Sequence, residues 1–408
     1  MSRRMLAVLS MVVLCLVTAG CCEKPVLPLL GWAYTPEEDS IYGVTVSKTA
    51  DGGYIVGGGH NSSYDMYALK LDGTGAKQWD RVYSNLSAGG SHGELWRHEA
   101  RGLAQTADGG YMMLGAGKND GDGMPDKSFL LVSLDATGGI YWSKTYAPQN
   151  PYSAGNMCVN NEPGVLVPTA DGGWFVAGSS YVGQYDLASA LKTDAQGNME
   201  FIQVVNDNAR AYSQEIVAGQ QTADGGYVLC GYSDNGSPHG YLALLIKLDA
   251  LGNLVFSKTF QYTQGGYGAE AYAVTQTADG GYVFGGVLVN DITKALIHGP
   301  WMAKLDGNGD LLWSSAYADD STLRAPKAIK ETPQGDILAA GSNNVGAMMV
   351  AKFTGAGVPL WDYAVPEDLP DATANDMVLT ADGGCVMVGS GISSGMLVAK
   401  VNNVFGVD

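Results

Sequence analysis

Four glutamates stand where carboxylates could act together. Glu99, Glu162, Glu215 and Glu270 each lie seven residues before a threonine that opens a recurring TADGG phrase, in four consecutive copies. If the repeat closes into a ring with this segment innermost, the four carboxylates gather near one mouth of a central channel. There they could hold a cation or recognise a basic group. Tyr42, Ala325 and Thr373 occupy the same place in the other copies, so the set is one-sided. The alternative is a row of solvated strand starts inherited from one ancestral repeat. Asp120, Asp122 and Asp126 form a second acidic group, in KNDGDGMPDK. Alternating acidic side chains with glycine between them let oxygens converge on a hard cation, so a structural Ca²⁺ is one reading and a polar loop the other. The longest departures from the repeat, Ser84 to Glu99 and Pro148 to Glu162, contribute His92, Trp96, Tyr152 and Asn160. Aromatic, amide and acidic groups on one rim suit a glycan or a peptide, or simply loop packing.

Other residues carry less chemistry. The aspartates of the TADGG phrases (Asp51, Asp108, Asp171, Asp224, Asp279 and Asp382) recur six times, and a catalytic group would occur once. They read as turn residues, since Asp-Gly suits tight hairpins. The histidines are scattered, and spacing alone does not converge them on zinc. A Glu–Glu glycosidase pair could be assembled from loop carboxylates, but no pair is singled out.

The elements that must position these groups come from the repeat. Its threonines are Thr49, Thr106, Thr169, Thr222, Thr277, Thr332 and Thr380, at spacings of 57, 63, 53, 55, 55 and 48 residues. In the best copy, Ala271 to Thr277 reads as a strand, then a turn, a strand at Tyr282 to Val289, and a strand at Trp301 to Leu305. A second turn precedes a fourth strand at Asp310 to Tyr317. Four antiparallel strands in about 55 residues fit a propeller blade. The fold expected is therefore all-β, a seven-bladed β-propeller of four-stranded blades. Each second half ends in an aromatic: Trp79, Trp142, Phe201, Phe256, Trp313 and Trp361. A ring at one fixed place can wedge between neighbouring blades. The seventh copy stops before its aromatic, and PLLGWAYT at Pro28 to Thr35 supplies the missing pattern with Trp32. An N-terminal strand is thus expected to complete the last blade and close the ring, which removes exposed sheet edges.

The N-terminus reads as a targeting segment. Arg3 and Arg4 precede an apolar run from Met5 to Val17, then Thr18, Ala19, Gly20 and Cys21. This resembles a prokaryotic lipoprotein signal, and the resemblance implies cleavage before Cys21 and lipidation of its sulfur. An ordinary secretory signal is the alternative. The organisation expected is a signal peptide at 1–20, a lipid-anchored tether at 21–27 and a propeller at 28–408. The formal charge is −18, or −20 without the two arginines, which disfavours nucleic acid as a partner. Six sparse cysteines do not make a disulfide framework.

The aromatic-ended hairpin resembles the tryptophan-docking motif of PQQ-type propellers, including the lipoprotein of the outer-membrane β-barrel assembly machinery. The TADGGY phrase is similar to that of a family of exported prokaryotic repeat proteins. The DGDGMPD run resembles the calcium loops of thrombospondin type-3 repeats, although Lys118 stands at the first aspartate position of that pattern. A quinoprotein dehydrogenase would carry a catalytic carboxylate, a calcium cradle and a vicinal disulfide by its cofactor. The only vicinal cysteines, Cys21 and Cys22, are at the tether, so PQQ is not expected and no cofactor is assigned beyond the possible Ca²⁺. The expectation is a noncatalytic, lipid-anchored module of the cell envelope that binds a protein or a glycan. A carbohydrate-active hydrolase using rim carboxylates is the alternative, and assembly of outer-membrane proteins a third reading.

Overall fold

The computed structural model describes residues 28–405 except 39, 61–64, 85–98, 118–126, 152–156, 206–212, 235–240, 262–267, 290–295, 318–322, 344, 367, 370 and 392–394. The described chain is all strand and turn. Strand β1 (Leu29–Tyr34) comes first. Blade 1 is β2 (Ile41–Lys48), β3 (Tyr54–His60), β4 (Asp65–Leu71) and β5 (Lys77–Tyr83). Blade 2 is β6 (Gly102–Gln105), β7 (Tyr111–Gly117), β8 (Ser128–Leu134) and β9 (Ile140–Tyr146). Blade 3 is β10 (Val159–Pro168), β11 (Trp174–Val182), β12 (Tyr185–Thr193) and β13 (Met199–Val204). Blade 4 is β14 (Ser213–Gln221), β15 (Tyr227–Asp234), β16 (Tyr241–Leu248) and β17 (Leu254–Phe260). Blade 5 is β18 (Gly268–Gln276), β19 (Tyr282–Val289), β20 (Leu296–Leu305) and β21 (Leu311–Ala316). Blade 6 is β22 (Ala328–Glu331), β23 (Ile337–Ser342), β24 (Met348–Phe353) and β25 (Pro359–Ala364). Blade 7 joins β26 (Thr373–Leu379), β27 (Cys385–Gly391) and β28 (Gly395–Asn402) to β1. The seven sheets form a β-propeller. The best copy's first strand begins at Gly268 rather than Ala271, because its pairing with β19 continues past the segment the pattern marked.

Closure takes the form the sequence implied. Strand β1 pairs antiparallel with β28, with Leu29 opposite Asn402, Trp32 opposite Lys400 and Tyr34 opposite Val398. The first strands pack against one another around the ring, from β2 through β6, β10, β14, β18 and β22 to β26 and back to β2. They are therefore innermost, and the fourth strands form the circumference. The hydrophobic core lies between blades. Seven apolar clusters each join two adjacent blades, the last uniting Val386, Val388 and Val398 of blade 7 with Val56 and Leu69 of blade 1. No blade has a core of its own, so each is stable only while its neighbours are in place.

The TADGG turn is a three-residue hairpin loop. Thr49 N–H bonds Gly53 O at 2.9 Å, Gly52 N–H bonds Thr49 O at 3.0 Å, and Gly52 has φ 81°. This is a type I turn followed by a left-handed glycine. Only the glycine takes positive φ; the aspartate contributes its carboxylate, which accepts the N–H of Gly53 at 3.0 Å. The next blade caps the same turn. Ala50 N–H donates to Gln105 Oε1 at 2.7 Å, Ala170 N–H to Gln221 Oε1 at 2.8 Å and Ala223 N–H to Gln276 Oε1 at 2.8 Å. In blade 6 the turn residue is Pro333, which has no N–H, and the corresponding position of blade 7 is the apolar Leu379.

Each fourth-strand aromatic docks on the glycine of the next blade's turn between its third and fourth strands. A Cβ on Gly75 would lie 2.5 Å from the Trp32 ring, and one on Gly357 2.8 Å from Trp313. The same relation joins Trp79 to Gly138, Trp142 to Gly197, Phe201 to Gly252 and Phe256 to Gly309. After β28 of blade 7, Phe405 stands at the repeat position of this glycine and packs into the cluster that also holds Trp361. Truncating Trp313 to alanine should cost roughly 2–3 kcal/mol, below the range for a fully buried tryptophan because the ring is only partly covered. A lowered urea midpoint in Trp313→Ala, with little change in the exposed-surface control Tyr141→Ala, would register it.

Candidate functional site

The two faces of the ring differ in construction. First strands run toward the TADGG turns, so those turns and the turns between third and fourth strands share one face. The connections between second and third strands, and those from one blade to the next, share the other. Strands β5 and β9, which lead into the long departures, end at Tyr83 and Tyr146 on this second, variable face. Trp96, His92, Tyr152, Asp120, Asp122, Asp126 and Cys21 lie outside the described residues.

All four glutamates are at the start of the innermost strands, on the variable face. A β-bulge follows three of them, Glu162, Glu215 and Glu270, between Pro163 and Val165, Ile216 and Ala218, and Ala271 and Ala273. The bulge presses the glutamate carbonyl against a glycine of the second strand. A Cβ on Gly231 would lie 1.7 Å from Glu215 O, and one on Gly286 1.9 Å from Glu270 O. The repeated glycines of the second strand are thus required by close backbone approach.

The carboxylates do not form one shared cage. Glu99 pairs with Arg101 and Glu162 with Lys127. Glu215 accepts from the hydroxyl of Tyr232, and Glu270 from that of Tyr272. Burial, then the bonded glutamate, pushes both phenols far above their ordinary range, so they remain neutral donors. Among the described residues no three His, Cys, Asp or Glu side chains converge on a point that could hold a metal ion.

Sequence reading missed the basic half of this collar. Lys327 of blade 6 is close enough to Arg101 and Glu99 of blade 2 for their charges to act on it. Burial lowers its pKa first, then Arg101, while Glu99 opposes both. Water reaches this side chain although protein surrounds it, as expected inside a channel. Its Nζ donates to Asn375 Oδ1 at 3.0 Å, and Asn375 Nδ2 donates to Gly43 O at 2.7 Å. Arg101, Tyr272, Lys327 and Asn375 share one repeat position, five residues before the threonine. Aligning the copies there would have shown it. Asp186 was also missed. Burial first, then Glu215 and Glu162, raises its carboxyl above the ordinary range.

The turn face is locked by ion pairs that sequence reading also missed. Lys70 Nζ lies 2.9 Å from Asp51, Lys192 2.9 Å from Asp171, Lys247 2.9 Å from Asp224 and Lys304 2.9 Å from Asp279. In each, the lysine of the third strand is buried and the turn aspartate is exposed on one side. In blade 6 Asp336 replaces the missing aspartate, 2.9 Å from Lys352. Hydrogen bonds from the lysine and then the threonine hold Asp51, Asp171 and Asp279 at about 2, against 3.8 for a free carboxyl. Asp224 is also at about 2; burial opposes the shift, but Thr222 and Lys247 outweigh it. Folded-state values below the unfolded value mean stability present above pH ~4 and lost as pH falls toward ~2. After allowance for solvent screening each contributes about 1 kcal/mol. The urea midpoint should therefore drop steeply between pH 5 and pH 2.5; a flat profile would show that these pairs contribute nothing.

An apolar groove of about 710 Å³ lies on the outer flank between blades 2 and 3, lined by Tyr146, Met157, Phe201 and Ile202. It is formed by fourth strands and their connection, apart from the collar.

No protein-family model matches the sequence, and no curated protein matches it either. Solved structures do resemble its fold. The lectin BP39L from Burkholderia pseudomallei has TM-score 0.58 at 9% identity, over 90% of this chain and 98% of the lectin. A polysaccharide lyase has TM-score 0.55 at 11% identity, over 91% of this chain and 94% of the lyase. Sqt1 from Chaetomium thermophilum, bound to the N-terminus of a ribosomal protein, has TM-score 0.50 at 11% identity, over 89% and 99%. At such identities these similarities bear on the fold alone.

Proposed function

We propose that the chain is a noncatalytic binding module that presents its variable face, around the channel mouth, to a protein or a glycan of the cell envelope. The observation that carries this reading is the contrast between the faces. One is built of near-identical turns, each tied by its own threonine, aspartate and usually lysine. The other combines unequal connections with a collar of tyrosines, glutamates, Lys127, Arg101, Lys327 and Asn375. Repeat folds keep a common frame and vary where they bind. Paired and hydrogen-bonded collar groups are suited to recognising a polar ligand rather than to trapping a bare cation. Propellers of similar fold include a lectin and a protein-bound module. A lipid anchor at Cys21 would hold the module at a membrane. In-cell crosslinking of the tagged chain, followed by mass spectrometry, tests the reading. Reproducible crosslinks from the variable face to one envelope component support it. Crosslinks confined to the turn face count against it.

One observation favours a hydrolase as the second reading. Asp186, with its raised pKa, lies near Glu162 and Glu215, an arrangement that suits a general acid beside an ionised partner. If this reading holds, Asp186→Asn abolishes turnover of an envelope polysaccharide and leaves binding intact. If no polysaccharide is cleaved by the native chain, the hydrolase is discarded.

A further inference from the structure

The exposed apolar residues of this ring are not scattered. Of the fifteen large hydrophobics exposed among the described residues, only Val82, Tyr181, Tyr185 and Val345 lie away from the turn-face edge of the circumference. The others stand at or beside the start of fourth strands, ahead of the docking aromatic. Outer strands that meet only water alternate polar residues there, yet here both strand faces are apolar. Leu254 and Val255 of blade 4, Leu311 and Leu312 of blade 5, and Val358 and Leu360 of blade 6 form a continuous arc. Leu312 and Val255 are each 59% exposed and Leu311 is 51% exposed. Blade 1, with Lys77 and Gln78 at this place, interrupts the belt.

The arc ends where the chain enters the ring. Leu29, 48% exposed, opens β1 at the outer edge of blade 7, opposite Asn402 and therefore at the turn face. The 28 residues before it include the apolar run Met5 to Val17 and Cys21. From Cys21 to Pro28 seven residues can span at most about 25 Å. An anchor on Cys21 thus tethers the ring by the end of this arc. A short tether raises the effective concentration of a second contact to the order of millimolar, so a weak apolar surface becomes an effective one.

We infer that the turn-face edge of blades 4 to 7 seats on a lipid bilayer and holds the variable face away from it. The inference rests on the lipid-anchor reading for its affinity, though not for its geometry. The charges beside the arc select the bilayer. Asp249, Asp306 and Asp310 border it, and the nearby Lys258 is bound to Asp310 at 2.7 Å. Such an edge suits uncharged headgroups and is repelled by anionic ones. Seating by exposed leucine and valine beside a lipid chain is the physics of an interfacial anchor.

The test uses the full chain in phosphatidylcholine vesicles, with Cys22→Ser to remove a competing thiol. An environment-sensitive fluorophore is attached at Leu312→Cys in one sample and at Val345→Cys, on the variable face, in another. Lipid-borne quencher is expected to quench the label at 312 at least twofold more than the label at 345. Adding phosphatidylglycerol should reduce that difference. Equal quenching at both sites, or protection of the 312 label at high protein concentration without vesicles, would overturn the inference, the latter in favour of a second copy of the chain. The mass of the N-terminal peptide scores the anchor separately. If Cys21 is unacylated, the labelling is repeated with Cys21→Ser, and preferential quenching at 312 then refutes the anchor and keeps the seated edge; an acylated Cys21 with equal quenching does the reverse.

Discussion

Deleting Leu29 to Tyr34 is expected to destroy cooperative folding of the whole ring, not of blade 7 alone. Strand β1 is the fourth strand of that blade, contributed from the opposite end of the chain. Its loss strips Trp32 from the turn glycine Gly75 and from Tyr54, whose ring centroid is 5.8 Å away. It also removes Leu30 and Ala33 from the core between blades 6 and 7, and Tyr34 from the core between blades 7 and 1. Burial of those side chains supports a loss of about 5 kcal/mol, and β28 becomes an open edge prone to pairing with other chains. Because no blade has its own core, damage at one seam propagates. The variant should give a broad, early thermal transition and soluble aggregates by light scattering. Moving the same six residues behind Asn402 through a tight turn should restore the sharp transition, since the pairing is antiparallel. A deletion variant that melts like the full chain would mean that β1 is an accessory strand.

Asp224→Ala should cost about 3 kcal/mol, more than any single surface charge normally does. The carboxylate is largely exposed, but its partner is not. Lys247 is 4% exposed, and its other bond is to Leu248 O at 2.9 Å. Removing the aspartate leaves a buried ammonium without a counter-ion and frees Gly226 N–H, which Asp224 holds at 3.0 Å. Removing both charges is cheaper. Blade 2 already has Ser133 at the lysine position, yet its turn keeps the Thr106–Gly110 bond of 2.9 Å and Gly109 at φ 89°. The turn therefore does not need the lysine; the buried lysine needs the aspartate. Asp224→Ala with Lys247→Met should recover most of the loss in a double-mutant cycle measured by urea unfolding. Additive effects of the two substitutions would show that the pair is energetically uncoupled.

The four glutamates show the boundary between what spacing reveals and what it hides. Their common offset from the threonine was enough to place them at one end of the innermost strands. Each one's partner was not readable from that offset. Lys127, for example, reaches Glu162 from the preceding blade, 35 positions away. The apolar edge was hidden for a related reason. Leu254, Leu311 and Val358 are 47 to 57 residues apart in the chain and become a continuous surface only when blades stand side by side.

The chain by itself determined the number of blades, the four strands in each, the place of the docking aromatics and the closing of the ring by Trp32 and its neighbours. Those features are local and periodic, so a repeat displays them seven times over. The tertiary structure decided the rest: the buried lysine that pairs with the turn aspartate in most blades, the pairing of collar carboxylates, and the approach of Lys327 to Arg101 across the channel. These depend on distances through space between residues of different strands or blades, which closure into a ring sets and sequence separation does not.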